Sequence, residues 1–182
     1  MAAVLVPVYD GPAGATMLLI RRTTTINHPG QVAFPGGRPE PSDADLLATA
    51  LREAYEELGI APSTVQIVGA LPVVETMTSN YAISPFVGRL AARPALRIQV
   101  SEVAAVLDVP VAALLREGLP IEEEWLLPLP GERAPATSNG PAAAPQTRRV
   151  RFYPWGEDKI WGATGRILES LVAALNNGSI RL

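Results

Sequence analysis

The sequence predicts an α/β fold on three observations. They are an apolar hairpin at the N-terminus, a capped amphipathic segment over Ser42–Leu58, and a second amphipathic segment over Ile160–Leu175. Ala2–Tyr9 reads as a buried strand and Thr16–Arg22 as its returning partner. The intervening Asp10–Gly14 contains Gly-Pro-Ala-Gly, which breaks either periodic structure. Thr23–Gly30 is polar, contains Pro29 and is expected as a loop; Gln31–Phe34 then adds a short strand that Pro35-Gly36-Gly37 ends. Two adjacent glycines let backbone approach another group closely.

In Ser42–Leu58, Ser42 stands as N-cap with Asp45 in the capping-box position, and Gly59 follows the last turn. Val65–Val73, Ile83–Leu90, Leu96–Val100 and Ala105–Val109 read as strands, with a helical turn at Val111–Glu117. Glu122–Leu127 and Arg149–Tyr153 pair as a further hairpin. Between them, Pro128–Thr147 is rich in Gly, Pro, Ala and Ser, lacks apolar periodicity and is expected as a mobile connector. Ile167, Leu168, Leu171, Val172 and Leu175 form the apolar stripe of the last helix, which Asn176-Asn177-Gly178 ends.

A chain of 182 residues with 48% hydrophobic and 18% charged side chains is sized for one compact domain. Its net charge of −3 supplies no diffuse basic field, which disfavours nucleic acid as a partner. A metal ion in an acidic site can still attract phosphate locally. The absence of Cys removes disulfides, thiolate zinc sites, iron–sulfur ligation and Cys nucleophiles, and the single His28 excludes a His-rich metal site. Catalysis must rest on carboxylates. No basic segment precedes the short apolar run of MAAVLVPVYDG and no apolar stretch is long enough for a membrane span, so a cytoplasmic protein without membrane contact is expected.

The chemical signal is Arg52-Glu53-Ala54-Tyr55-Glu56-Glu57-Leu58-Gly59-Ile60. Glu53, Glu56 and Glu57 are related as i, i+3 and i+4, so on a helix they share an arc of about 100° and are expected to converge. Leu47, Ala50, Leu51, Ala54 and Leu58 occupy the adjoining arc and face the core. Like charges at this spacing repel, so a positive partner is expected among them. Arg52 can pair with Glu56, but one guanidinium cannot neutralise three acids, and oxygen-only ligands suit Mg²⁺ or Mn²⁺. The bland alternative is a solvated acidic face. The Gly-rich turn before the helix favours the metal, because it can bring backbone carbonyls to the same place.

These residues resemble the Nudix hydrolase box, which runs Gly, five residues, Glu, seven residues, then Arg-Glu-apolar-any-Glu-Glu-any-Gly-apolar. Gly37 and the run Arg52–Ile60 match it; Asp43 stands in for the first Glu, and eight residues separate it from Arg52. Leu18–Arg22, Asn27–Gly37, the lengthened box, Thr49–Ala54, Tyr153-Pro154-Trp155 and Ile160–Thr164 resemble the coenzyme A pyrophosphatase branch. Three departures stand beside this: members of that branch usually carry an Arg near Ile26–Asn27 and a Thr where Ile20 stands, and the loop here is one residue short.

The resemblance implies a mixed-sheet α/β/α sandwich that depends on Mg²⁺ or Mn²⁺ and hydrolyses a nucleoside diphosphate linked to another group. For coenzyme A the products would be 4′-phosphopantetheine and adenosine 3′,5′-bisphosphate. It implies metal binding by Glu53, Glu56, Glu57 and the Gly36 carbonyl, with Arg52 orienting Glu56 or a neighbouring acid. Glu57 and Glu102 are the candidate bases. Arg21 and Arg22 follow a strand whose neighbours face opposite sides, so at most one reaches the site as a phosphate clamp.

His28 and the Thr78-Ser79-Asn80-Tyr81 loop read either as pocket lining or as ordinary loop hydrogen bonding. Trp155 and Trp161 read either as an adenine platform or as packing, and Glu122-Glu123-Glu124 as a solvated edge. The expected partner is a small nucleoside diphosphate derivative, coenzyme A first, with a homodimer left open. Competing readings are a Nudix hydrolase of NADH, ADP-ribose or another nucleotide, a non-catalytic nucleotide sensor, and an adaptor with a purely structural acidic helix.

Overall fold

The computed structural model describes residues 1–23, 30–76, 81–127 and 146–182. Strands β1 (Ala2–Gly11) and β2 (Gly14–Arg22) form the expected antiparallel hairpin, followed by the two-residue strands β3 (Val32–Ala33) and β4 (Gly36–Gly37). Helix α1 (Leu46–Leu58) comes next, then β5 (Gln66–Ala70), β6 (Val74–Glu75), β7 (Ala82–Leu90) and β8 (Val103–Pro110). A short helical turn over Val111–Leu115 precedes β9 (Ile121–Leu127), β10 (Gln146–Trp155), β11 (Asp158–Ile160) and helix α2 (Gly162–Asn176).

The main sheet is mixed. β1 runs parallel to β7 and antiparallel to β2 and β4, while β5 and β6 pair antiparallel with β7, and β3 and β8 with β2. Alternation along β1 sends Val4, Val6 and Val8 to one face and Ala3, Leu5 and Tyr9 to the other. The first set packs with Ile167, Leu168 and Leu171 of α2, and the second with Ala50, Ala54 and Leu58 of α1. Two helices therefore cover opposite faces of one mixed sheet, the α/β/α layering that was expected.

Helix α1 begins later than its sequence indicates. Asp45, not Ser42, is the N-cap: its carboxylate accepts from Ala48 N–H at 2.7 Å. The preceding Asp43 is drawn to Thr49 Oγ1 at 2.9 Å and to Arg52, which holds residues before Asp45 out of the helix. At the other end Gly59 takes the left-handed conformation, φ 75°, as expected for the residue after the last turn.

Leu96–Val100 is not a strand. Its N–H groups at Arg97 and Gln99 donate to Leu58 O and Glu57 O, both at 2.9 Å, so the segment satisfies the last carbonyls of α1 instead of joining the sheet. The short pairs β6 and β11 carry too few residues for an alternation signal and were not expected. The hairpin expected over Glu122–Leu127 and Arg149–Tyr153 is present as β9 and β10, in a three-stranded sheet ordered β11-β10-β9. Thr147 belongs to β10, and residues 128–145 of the expected connector lie outside the described residues.

Glu122, Glu123 and Glu124 are exposed, as a solvated edge should be. Trp161 serves packing, with its ring 5.2 Å from Trp125 in an edge-on contact. Lys159 lies over Phe152 at 4.3 Å and Trp125 at 5.1 Å, with its ammonium 2.6 Å from Glu123. Among the described residues no helix is long and apolar enough to cross a membrane.

Candidate active site

Helix α1 carries Glu53, Glu56 and Glu57 along one edge, opposite the glycine turn of β4. Glu57 is 2% exposed, and its Oε2 accepts from Gly36 N–H at 2.9 Å. Burial pushes its carboxyl up to about 8, opposed by the Gly36 hydrogen bond and the Arg22 charge. Burial also raises Glu53, against the pull of Arg52. Gly37 lies against it, so that a Cβ there would displace the Glu53 carboxylate.

Arg52 organises the edge. It contacts Asp43 through Nε at 3.0 Å, Glu53 Oε1 at 3.1 Å, Glu56 Oε2 at 3.0 Å and the Arg38 carbonyl at 2.9 Å. Its hydrogen bonds hold the Asp43 carboxyl well below the usual carboxylate range. The expected Arg52–Glu56 pair is present, but Asp43 is the fuller partner. That role was missed because the two residues are nine apart, and no helical periodicity links a residue ahead of the cap to one inside the helix.

The three glutamates do not converge as expected. Among the described residues, no three acidic or His side chains stand close enough to hold an ion in this arrangement. Arg52 holds Glu53 and Glu56 while the Gly36 N–H holds Glu57, so neighbouring donors split the set. The donor chemistry still fits a hard divalent cation: Glu53 and Glu57 are acids removed from water, and Glu102 adds negative charge to both.

β2 and β8 deliver the flanking residues. Their register slips between Arg21 and Arg22, a bulge that leaves Ala104 unpaired and brings Glu102 beside the end of β2, where its carbonyl accepts from Thr23 N–H at 2.9 Å. Arg22 acts electrostatically on Glu57, and its Nε is buried with no hydrogen-bond partner among the described residues. Arg21 points elsewhere, into a bidentate pair with Asp158 of β11 at 2.9 and 2.6 Å. Of the two arginines, one faces the acids, as strand alternation requires.

Tyr81 lies under the Arg38 guanidinium at 4.8 Å and exchanges hydrogen bonds with Thr76. His28 and Ser79, with Ile26, Asn27, Thr78 and Asn80, lie outside the described residues. Arg38 and Asp158 were not singled out from the sequence; each is an ordinary charged residue beside a turn, with no spacing signal.

A glycine turn facing a helix that ends in Arg-Glu-Ala-Tyr-Glu-Glu-Leu-Gly, on a mixed sheet between two helices, defines a class, and residues 1–127 match the NUDIX domain. The chain belongs to the Nudix family. It is 37% identical over 171 residues to the uncharacterized Nudix hydrolase NudL of Photorhabdus laumondii, covering 93% of this chain and 82% of that one. It is 44% identical over 117 residues to the NudL protein of Cronobacter sakazakii, covering 64% of this chain and 60% of that one. The matched part thus spans about 60% of the length of that relative and of those from Escherichia coli. Its fold matches that of a Caenorhabditis elegans Ap4A hydrolase binary complex, with a TM-score of 0.54 and 18% identity over 62% of this chain and 81% of the other.

Proposed function

We propose that this chain is a metal-dependent pyrophosphohydrolase that cleaves coenzyme A or its derivatives into 4′-phosphopantetheine and adenosine 3′,5′-bisphosphate, with residues 1–182 acting as one domain. The observation that carries it is the buried Glu57 with the half-buried Glu53 facing the Gly36-Gly37 turn, and beside them the Arg22 Nε, unpartnered among the described residues. The coenzyme A assignment rests on the Leu18–Gly37 stretch and the lengthened box. A second substrate, another nucleoside-diphosphate-linked compound such as NADH or ADP-ribose, is favoured by the missing Arg near Ile26–Asn27.

Mg²⁺ or Mn²⁺ held by Glu53, Glu56, Glu57 and the Gly36 carbonyl would withdraw charge from the pyrophosphate and acidify a bound water. Arg22 offers its guanidinium to a phosphate oxygen, which would satisfy its buried Nε. Arg52, fixed by Asp43, sets the positions of Glu53 and Glu56. Glu57 Oε1, whose sister oxygen is tied to Gly36, or the Glu102 carboxylate takes the proton released on attack at phosphorus.

The test is product analysis with Mg²⁺ or Mn²⁺ over coenzyme A, acyl-coenzyme A, NADH, ADP-ribose and nucleoside triphosphates. Release of adenosine 3′,5′-bisphosphate supports the proposal, and hydrolysis of another compound alone selects the second reading. Glu56→Gln is expected to lower kcat by about 100-fold or more with the fold intact, a loss of the size that removing a group from a catalytic set brings. Full activity of that variant at saturating Mg²⁺ would overturn the carboxylate assignment, and a wild type that hydrolyses none of these compounds would leave a sensor or adaptor.

A further inference from the structure

A groove of about 600 Å³ opens between β6 and α2, on the face of the sheet away from α1. Val73, Val74 and Ala173 make its apolar wall; Arg166, Glu169 and Ser170 line it from α2. Two of the lining charges already have partners: Arg166 donates to the Glu75 carbonyl, and Glu169 pairs with Arg151, beside the groove, at 3.4 Å. Among the described residues no aromatic side chain lines the groove, so none of them stacks a nucleobase there. Among the described residues Arg166 is the one cation lining the groove, which is not the cluster a further phosphate would need. The chemistry that remains is a neutral, non-aromatic chain carrying both methyl-rich carbon and amide groups.

The sheet register places this groove relative to the glycine turn. Gly37 pairs with Ala3 of β1, Ala2 pairs with Ile83 of β7, and Ile83 pairs with Val74 of β6. Three inter-strand steps separate Gly37 from Val74, about 14 Å at the usual strand spacing. A continuous run of contacts spans the interval: Arg38 follows Gly37 and covers Tyr81, Tyr81 bonds Thr76, and Thr76 adjoins Glu75 at the groove mouth. A pantetheine arm is about as long as four extended residues, roughly 14 Å.

We infer that the groove between β6 and α2 receives the distal amide-containing arm of an extended pyrophosphate substrate, with Arg38 and Tyr81 bridging it to the glycine turn. This inference rests on the proposed coenzyme A hydrolysis. It assigns the pantetheine half to the α2 side of the sheet. Arg166 and Ser170 donate to amide carbonyls, Glu169 accepts from an amide N–H, and Val73, Val74 and Ala173 cover the gem-dimethyl carbon.

Val73→Trp and Ala173→Trp fill the groove from exposed positions on opposite walls, so neither burdens the core. Calorimetry of the full chain with Mg²⁺ would measure 4′-phosphopantetheine and adenosine 3′,5′-bisphosphate separately. Each variant is expected to weaken 4′-phosphopantetheine at least tenfold while changing adenosine 3′,5′-bisphosphate less than twofold. Unchanged 4′-phosphopantetheine affinity in both variants, in a protein whose wild type cleaves coenzyme A, would overturn this inference alone. A wild type that neither cleaves coenzyme A nor binds 4′-phosphopantetheine would overturn it together with the proposed function.

Discussion

A methyl group at residue 37 would collide with the Glu53 carboxylate, which would have to swing away from the turn. Gly37→Ala is expected to destabilise the fold only mildly, by about 1 kcal/mol, because the end of a side chain rather than backbone must move. It should also displace Glu53 and lower hydrolysis sharply. Urea unfolding and kcat together check this; a stable and fully active variant would show that Glu53 is not needed where the structure places it. At this scale the acids were legible, since i, i+3, i+4 spacing is a property of the helix alone. Their partners were not. Asp43 reaches Arg52, Asp158 reaches Arg21 and Gly36 N–H reaches Glu57 across turns whose path no local pattern encodes.

The start of α1 shows how capping competes with hydrogen bonding nearby. Asp45 caps the helix, so Asp45→Ala is expected to cost about 1 kcal/mol, whereas Ser42→Ala should be nearly neutral. Paired denaturant titrations would decide it, and equal losses would return the helix start to Ser42. Ser42 and Asp45 are both good caps by type; the Asp43–Thr49 and Asp43–Arg52 contacts select between them. The N-terminal hairpin, the Gly59 cap and the stripe of α2 were legible because each depends on neighbours within one turn or one strand. Leu96–Val100 has a strand's composition but serves the open end of α1, whose last carbonyls take its N–H groups.

Across the whole molecule, β1 is buried on both faces and its ends are tied to distant segments. Tyr9 OH donates to Asp108 at 2.7 Å, and Arg93 grips the same carboxylate at 2.8 and 2.9 Å, linking β1, β8 and the segment after β7. Arg93 holds the Asp108 carboxyl below its ordinary value, with help from Tyr9 and against burial. A depressed folded-state carboxyl stabilises the fold above the unfolded value near 3.9, and that contribution disappears as pH falls through the folded value. Asp108→Asn is therefore expected to cost up to about 1 kcal/mol at pH 7, since the pair is partly solvated, and the gap to wild type should close below pH 4. A gap independent of pH between 7 and 3 would contradict this account. The sandwich as a whole was readable once the box was seen, whereas the placement of β9–β11 depends on contacts with α2 that follow no sequence period.

Lys159 is the sole lysine in the chain, and its ammonium rests on Phe152 and Trp125 in the outer sheet. Reductive methylation or acylation of side-chain amines thus has one target, remote in sequence from the carboxylate helix. Because Trp125 lies within 5.1 Å of that amine, its indole emission becomes a built-in optical reporter of events in the outer sheet, readable without introducing a foreign dye.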